Sequence, residues 1–509
     1  MIDELAGRRL WIGIPGPRLD DAARRLLDEV RPGGVVLFAR NDDSKAGLRA
    51  LSADLRALLG DDLHVAVDQE GGLVVRFERE FMVWPGNMAL GAASVREPSL
   101  GEHLAVEQGR LSAAELVSVG VDVNLAPVLD LASAEGSGIV SSRSFGSAPE
   151  LVARLGAACV RGTLSGGVLP CLKHFPGLGY ASSDPHLALA HLSGSRLEDA
   201  LLPFERGIAE GAPLVMSTHL VVESIDPGVP ATFSRAVMEG LLRERLGFRG
   251  VTLTDDLEMG ALGGSEDFDE IVRAAAGTHD VLLVSHDADR QRRAARILSE
   301  EHAAGRFPRG GRAPLEERLA SLRRPESEGV FDARRAAEVA EAIAGRSVTV
   351  IRDDRGLIPI EPETPVLILR LRTHARTEVE DPLRGVEPAV ELAEALSACR
   401  PATEILETPP SDASLTALMD RALEYERVVL LLADPRSQAA EGALLEALAG
   451  RHPGCLVVLL RDPHGAALVP EDAGVAVLTP HGFRRLHIRA LARVLQGDVA
   501  PYGRLPVEV

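Results

Sequence analysis

The stretch KHFPGLGYASSDPH, residues 173–186, sets Lys173 and His174 before a Pro-Gly break and closes on Asp184-Pro185-His186. A carboxylate beside one imidazole nitrogen fixes the ring's tautomer, favours its protonated form and leaves the other nitrogen to move a proton. The same triplet also suits an Asx-type turn carrying a chance histidine. A second stretch, TLTDDLEM (252–259), carries two adjacent aspartates. Successive strand side chains point to opposite faces, so Asp255 and Asp256 cannot both work on one face while the strand persists. One is then a working carboxylate and the other is structural or solvated, unless both cap the next helix. In DQEGGLVVRF, from Asp68, two glycines allow a tight turn after the acids. Asp68 can accept from hydroxyl groups and Arg76 can donate to hydroxyls or a carboxylate; the plainer reading is an acidic turn with a solvated arginine. Arg143, in SSRSFG (141–146), taken alone reads as a surface charge.

These groups need elements to bring them together. Eight apolar runs, at 8–14, 33–39, 64–70, 121–131, 168–175, 213–220, 250–256 and 280–286, alternate with amphipathic stretches such as SKAGLRALSADLRALLG. Apolar strands separated by helices pair in parallel and are buried on both faces. Eight of them in some 290 residues predict a (β/α)8 barrel, which typically occupies ~250 residues; a doubly wound open sheet is the rival. The polar clusters DQEGG, KHFPG, STH, TDD and SHD all stand where apolar runs end. In a barrel those ends converge on one face, whereas in an open sheet only those near a switch point would meet.

A segment rich in Pro, Gly and Arg follows, and then a second α/β region with strand candidates at 346–352, 365–371, 427–433, 455–461 and 474–480. The division predicted is a catalytic barrel over 1–325, a linker over 326–345 and an αβα sandwich over 346–509. This second region carries no Gly-rich phosphate loop, and no internal repeat of 20–50 residues is visible in the chain.

The formal charge of −20 argues against a nucleic-acid partner, which needs a basic surface. No apolar run approaches the ~20 residues that span a bilayer, so no membrane partner is expected. The first residues, MIDELAGRRLWIGIPG, are acidic where a signal peptide is basic, which points to the cytoplasm. Cys159, Cys171, Cys399 and Cys455 share no metal-ligand spacing and are expected as small buried hydrophobes in a reducing compartment.

The pieces GGVVLFARN, VAVDQEGG, VNLAPVLD, RSFG, KHFPG, the Asp-x-His, PATFS and GFRGVTLTDDLEM together resemble the bacterial β-N-acetylglucosaminidases of glycoside hydrolase family 3. They stand in the family's order and span nearly all of residues 1–300. GRSVTVIRDDRGLIPI and PYGRLPVEV resemble, more loosely, the two ends of the family's αβα domain. The resemblance implies Asp255 as nucleophile, His186 as general acid/base supported by Asp184, and Asp68, Arg76, Arg143, Lys173 and His174 as holders of the non-reducing sugar. It implies a retaining exo-hydrolase of terminal β-linked N-acetylglucosamine, acting on peptidoglycan-type fragments with no metal and no organic cofactor. A histidine with an ordinary pKa of ~6.5 suits a proton donor near neutral pH.

Where the family usually reads KHFPGHGD, this chain has Leu178 for the second histidine and Tyr180 for the aspartate, and Glu258 stands where a small residue is usual. These changes leave the residues assigned roles intact and bear on loop hydrogen bonding and sugar specificity. Alternative readings are a β-glucosidase or other β-glycosidase, a glycoside phosphorylase using the same dyad, and a sugar-binding paralogue without catalysis.

Overall fold

The computed structural model describes residues 2–134, 140–181, 189–262, 268–326, 330–372, 387–406 and 411–509. Asp184 and His186 lie outside these residues.

Eight parallel strands close into a barrel in chain order: β1 Leu10–Gly13, β2 Gly34–Leu37, β3 His64–Val67, β4 Val123–Asn124, β5 Leu169–Phe175, β6 Leu214–Ser217, β7 Val251–Asp256 and β8 Val281–Val284. All eight fall inside the apolar runs read from the sequence. Closure is direct, because β1 pairs with both β2 and β8. Alternation along the strands divides the apolar residues into two cores. Trp11, Val36, Ala66, Leu169, Cys171, Val251, Leu253 and Leu283 fill the interior. Ile12, Val35, Leu37, Val65, Val67, Leu282 and Val284 face the surrounding helices. The floor of the barrel is stopped by the helix Arg312–Ser321, whose Leu315 and Leu319 join the interior cluster. Helix starts follow local capping chemistry: the Asp20 and Ser44 side chains accept from the backbone N–H groups of Ala23 and Gly47.

The second sheet has six strands, β9 Thr349–Arg352, β10 Pro365–Leu371, β11 Arg400–Leu406, β12 Arg427–Leu432, β13 Cys455–Leu459 and β14 Ala476–Thr479, ordered β9-β14-β13-β12-β10-β11. Only the pairing of β9 with β14 is antiparallel. Separate apolar clusters cover its two faces, one including Leu392, Ile488 and Leu491 and the other Leu418, Leu444 and Leu448. The sandwich expected from the sequence is therefore present, with one strand that the sequence reading did not contain. That strand, β11, is an edge strand whose RPATEIL pattern is nowhere fully buried, so it lacks the apolar run by which the others were found.

Residues 326–345, read as a linker, include most of the helix Ala333–Ser347. Its Ala336, Val339, Ala340 and Ile343 join a core built on barrel-side helices, while Ala344 joins the sandwich core. The domains also meet through Arg484, which bonds the Gly72 carbonyl at 2.9 Å and the Glu78 carboxylate at 2.6 Å. The four cysteines are free and buried. Among the described residues no helix is long and apolar enough to cross a membrane.

Candidate active site

A cavity of about 360 Å³ opens at the C-terminal ends of the barrel strands. Asp68, Arg76, Arg143, Lys173, His174 and Asp255, all singled out from the sequence, line it together. Strand alternation accounts for three of them. Asp68 continues the inward row of Ala66, Lys173 that of Leu169 and Cys171, and Asp255 that of Val251 and Leu253. A cis peptide bond joins Lys173 to His174, and both line the cavity.

The loop after β3 is a short hairpin, Gln69–Gly71 against Val74–Val75. Its turn uses Gly71 and Gly72 at φ +89° and +61°, conformations that a Cβ disfavours. The Gln69 side chain spans the hairpin, accepting from the Arg76 and Phe77 N–H groups at 3.0 and 3.1 Å. That fixes the backbone from which the Arg76 guanidinium reaches to 3.7 Å from Asp68. Arg143 sits on a short turn after β4, held from below by the Asn87 side-chain amide, which donates to the Arg143 carbonyl at 2.7 Å.

The charged groups form one connected array. Lys173 Nζ lies 2.7 Å from Asp68 Oδ1 and 2.6 Å from Glu70 Oε1. Arg143 meets Glu70 through two hydrogen bonds of 2.9 and 2.8 Å. Burial alone would raise the Glu70 carboxyl, but the charges and hydrogen bonds of Arg143 and Lys173 outweigh it and hold the group well below the usual carboxylate range. The converse holds for Lys173: burial disfavours its charge, yet Asp68 and Glu70 raise its pKa above the ordinary value. His174 is oriented by Asp130, whose Oδ2 lies 2.6 Å from Nδ1. A carboxylate oxygen accepts, so Nδ1–H donates to Asp130 and Nε2 is left facing Arg143 at 3.5 Å. Asp130 Oδ1 accepts from the Leu178 N–H at 2.7 Å, so the backbone of the loop after β5 is tied to the same carboxylate. The Leu178 side chain itself lines the cavity.

On the opposite side the two aspartates of β7 diverge in surroundings. Asp255 accepts the Asp256 N–H at 2.8 Å, while Asp256 Oδ1 accepts the Glu258 N–H at 3.0 Å. Asp256 is pushed up to about 7, first by burial and then by the neighbouring Glu258 charge. Glu258 in turn accepts the backbone N–H groups of His286 and Asp287 at 2.6 and 3.0 Å, joining the loops that follow β7 and β8. Behind them His219, fully buried, places Nε2 3.0 Å from the Asp256 carbonyl and Nδ1 2.8 Å from Thr232 Oγ1. A carbonyl only accepts, so Nε2 carries the proton in that contact.

Glu70, Asp130 and His219 were not singled out from the sequence, although each stands in a quoted motif: DQEGG, VNLAPVLD and STH. A polar residue at the C-terminal end of an apolar run was the available signal, and it did not distinguish groups that meet a ligand from groups that hold those in place. Among the described residues no three His, Cys, Asp or Glu side chains are grouped so as to hold a metal ion. What the cavity offers is a dense set of oriented, charged donors and acceptors around a space fit for a polyhydroxylated ring, with a carboxylate at one wall.

Comparison with known proteins agrees in fold and family. The Glycosyl hydrolase family 3 N terminal domain matches residues 3–304. A beta-hexosaminidase of Thioalkalivibrio sulfidiphilus is 41% identical over 293 residues, which is 57% of this chain and 83% of the relative. The glycoside hydrolase family 3 beta-N-acetylglucosaminidase of Paenibacillus sp. superposes with a TM-score of 0.90 at 30% identity, covering 100% of this chain and 99% of the other. NagZ from Neisseria gonorrhoeae, at 31% identity and TM-score 0.57, covers 66% of this chain and 98% of its own. With a barrel matched end to end by the family and a two-domain fold shared over the full length, this chain belongs to glycosyl hydrolase family 3 and is a glycoside hydrolase.

Proposed function

We propose that this enzyme removes terminal β-linked N-acetylglucosamine from the non-reducing end of its substrates with retention of configuration. The observation that carries the reading is the meeting of Asp255 with Asp68, Arg76, Arg143, Lys173 and His174 in one cavity. The hexosaminidase name of a relative at 41% identity supports the choice of sugar. Asp68, Arg76, Arg143, Lys173 and His174 hold the terminal ring. Asp255 attacks the anomeric carbon as the bond to the leaving oxygen breaks, and His186, supported by Asp184, gives its proton to that oxygen. In the second half-reaction His186 takes a proton from water, whose oxygen attacks the anomeric carbon and frees Asp255. Peptidoglycan fragments in the cytoplasm are the substrates this reading favours.

Nitrophenyl β-N-acetylglucosaminide should be turned over far faster than nitrophenyl β-glucoside, giving free sugar with or without phosphate. A fluorinated N-acetylglucosaminyl donor that slows the second step should leave a covalent sugar on Asp255, visible by mass spectrometry of the peptide. Preference for the glucoside, sugar 1-phosphate as main product, or no turnover of any aryl glycoside would each overturn the proposal in favour of a different activity.

A further inference from the structure

A second cavity, of about 440 Å³, lies at the other end of the barrel. It is lined by Arg243, Arg249, Arg309 and Arg318, by Phe248, and by one carboxylate, Glu317. Gly250 and Asp280, which immediately precede β7 and β8, mark this as the N-terminal face. β7 has six residues, so roughly 17 Å of strand separate it from Asp255.

Part of this cluster has a structural role. Buried Asp280 takes one bond of 2.6 Å from Arg243 and two, of 3.0 and 2.7 Å, from Arg318. It also accepts from the Thr252 N–H at 3.0 Å, so its two oxygens are already occupied. Those contacts fasten the floor helix Arg312–Ser321 to the barrel and explain one carboxylate with two arginines. They do not explain the others. Arg309 reaches outward to Glu244 at 2.7 Å, a pair in which both side chains are largely solvent-exposed and weakly coupled. Arg249 is exposed and has no ion-pair partner among the described residues. The crowding of like charges is itself unfavourable. Burial lowers the pKa of Arg243, and although Asp280 opposes this, the charges of Arg318 and Arg309 lower it further. The four guanidinium groups around this cavity outnumber the carboxylates that meet them, Asp280, Glu244 and Glu317, and so leave a locally positive balance in a chain of net charge −20.

We propose that this cavity is a binding site for a small phosphorylated molecule, separate from the catalytic cavity. Guanidinium groups present paired N–H donors in a planar fork that matches phosphoryl oxygens, and phosphate oxygens keep their charge across neutral pH. The volume exceeds that needed for one phosphate and suits a diphosphate or a sugar phosphate. An incoming dianion neutralises Arg249 and Arg309 and reduces the repulsion felt by Arg243 and Arg318; Glu317 limits the anion to the arginine side.

Calorimetric titration of the full chain with inorganic pyrophosphate, at ionic strength held constant with NaCl, tests the site. One saturable equivalent with a sub-millimolar Kd is expected. The double variant Arg249→Ser/Arg309→Ser should weaken it at least tenfold, with an unchanged circular dichroism spectrum and hydrolysis of the nitrophenyl substrate within twofold of the parent. Inorganic phosphate should compete. The proposal is overturned if binding is absent, if the double variant binds pyrophosphate as well as the parent, or if catalytic-site ligands displace it. None of these outcomes depends on the sugar assigned to the catalytic cavity.

Discussion

Arg143 and Glu70 face each other through two parallel hydrogen bonds, 2.9 and 2.8 Å long, with side chains only 4% and 2% exposed. Lys173 joins the same carboxylate from the other side. Removing a charge from such an array leaves its partners buried and uncompensated, which costs more than the array contributes. Glu70→Gln should therefore lower stability by about 3 kcal/mol and raise KM at least tenfold, because Arg143 and Lys173 lose their common anchor. Chemical denaturation and steady-state kinetics on one preparation measure both. An unchanged KM would mean that neither cation touches the sugar.

Asp255 and Asp256 should differ sharply. Asp255→Ala is expected to reduce kcat by at least ~10³, while Asp256→Ala retains much more activity, since its carboxylate is engaged with the Glu258 backbone. Equal losses, or a greater loss at Asp256, would contradict the assignment of the nucleophile.

The raised pKa of Asp256 has a consequence for stability against pH. Near pH 3 the group is protonated in both the folded and the unfolded chain and contributes nothing. Between its ordinary value of 3.8 and its folded value of about 7 the unfolded chain releases the proton first, so the group increasingly opposes folding as pH rises. Above that range the penalty is constant. Asp256→Asn, which keeps an oxygen to accept the Glu258 N–H, should match the parent's stability near pH 4. At pH 8 it should exceed the parent by about 1–3 kcal/mol. Paired denaturation curves at the two pH values give the comparison, and a constant difference would refute it.

His219 acts through the backbone that carries Asp256. His219→Phe should lower kcat about tenfold with little change in KM, because the loss is one of carboxylate placement rather than of sugar contact. His219→Gln, which can present a donor near the position of Nε2, should recover most of it. A purely structural role would lower thermal stability in both variants without this recovery of kcat.

The loop after β5 provides a test of specificity. Leu178 puts an apolar side chain into the cavity while its N–H holds Asp130. The double change Leu178→His/Tyr180→Asp should alter the ratio of kcat/KM values among aryl glycosides and leave the pH dependence of kcat in place. If the parent is inert and the double variant active, the parent is a decayed, sugar-binding protein.

Much of this molecule was legible in its residues. The barrel strands were apparent because a buried parallel strand must be apolar on both faces, and the ends of those runs marked the mouth because polar side chains there have no other place to go. Asp68, Arg76, Arg143, Lys173, His174 and Asp255 were named on that basis together with a family pattern, and all six line one cavity. The edge strand β11 was missed because an edge exposes its side chains and loses the apolar signature. Glu70, Asp130 and His219 could be assigned only in three dimensions. Each takes its role from partners distant in the chain: Arg143 lies 73 positions from Glu70, His174 lies 44 from Asp130, and the Asp256 carbonyl lies 37 from His219. The arginine cavity at the barrel floor belongs to the same class, since Arg243, Arg309 and Arg318 acquire a common surface only when β7, β8 and the helix Arg312–Ser321 close the barrel. Local sequence determines what a strand buries and where it ends; the charge that reaches a given side chain depends on which strands the closed barrel sets beside it.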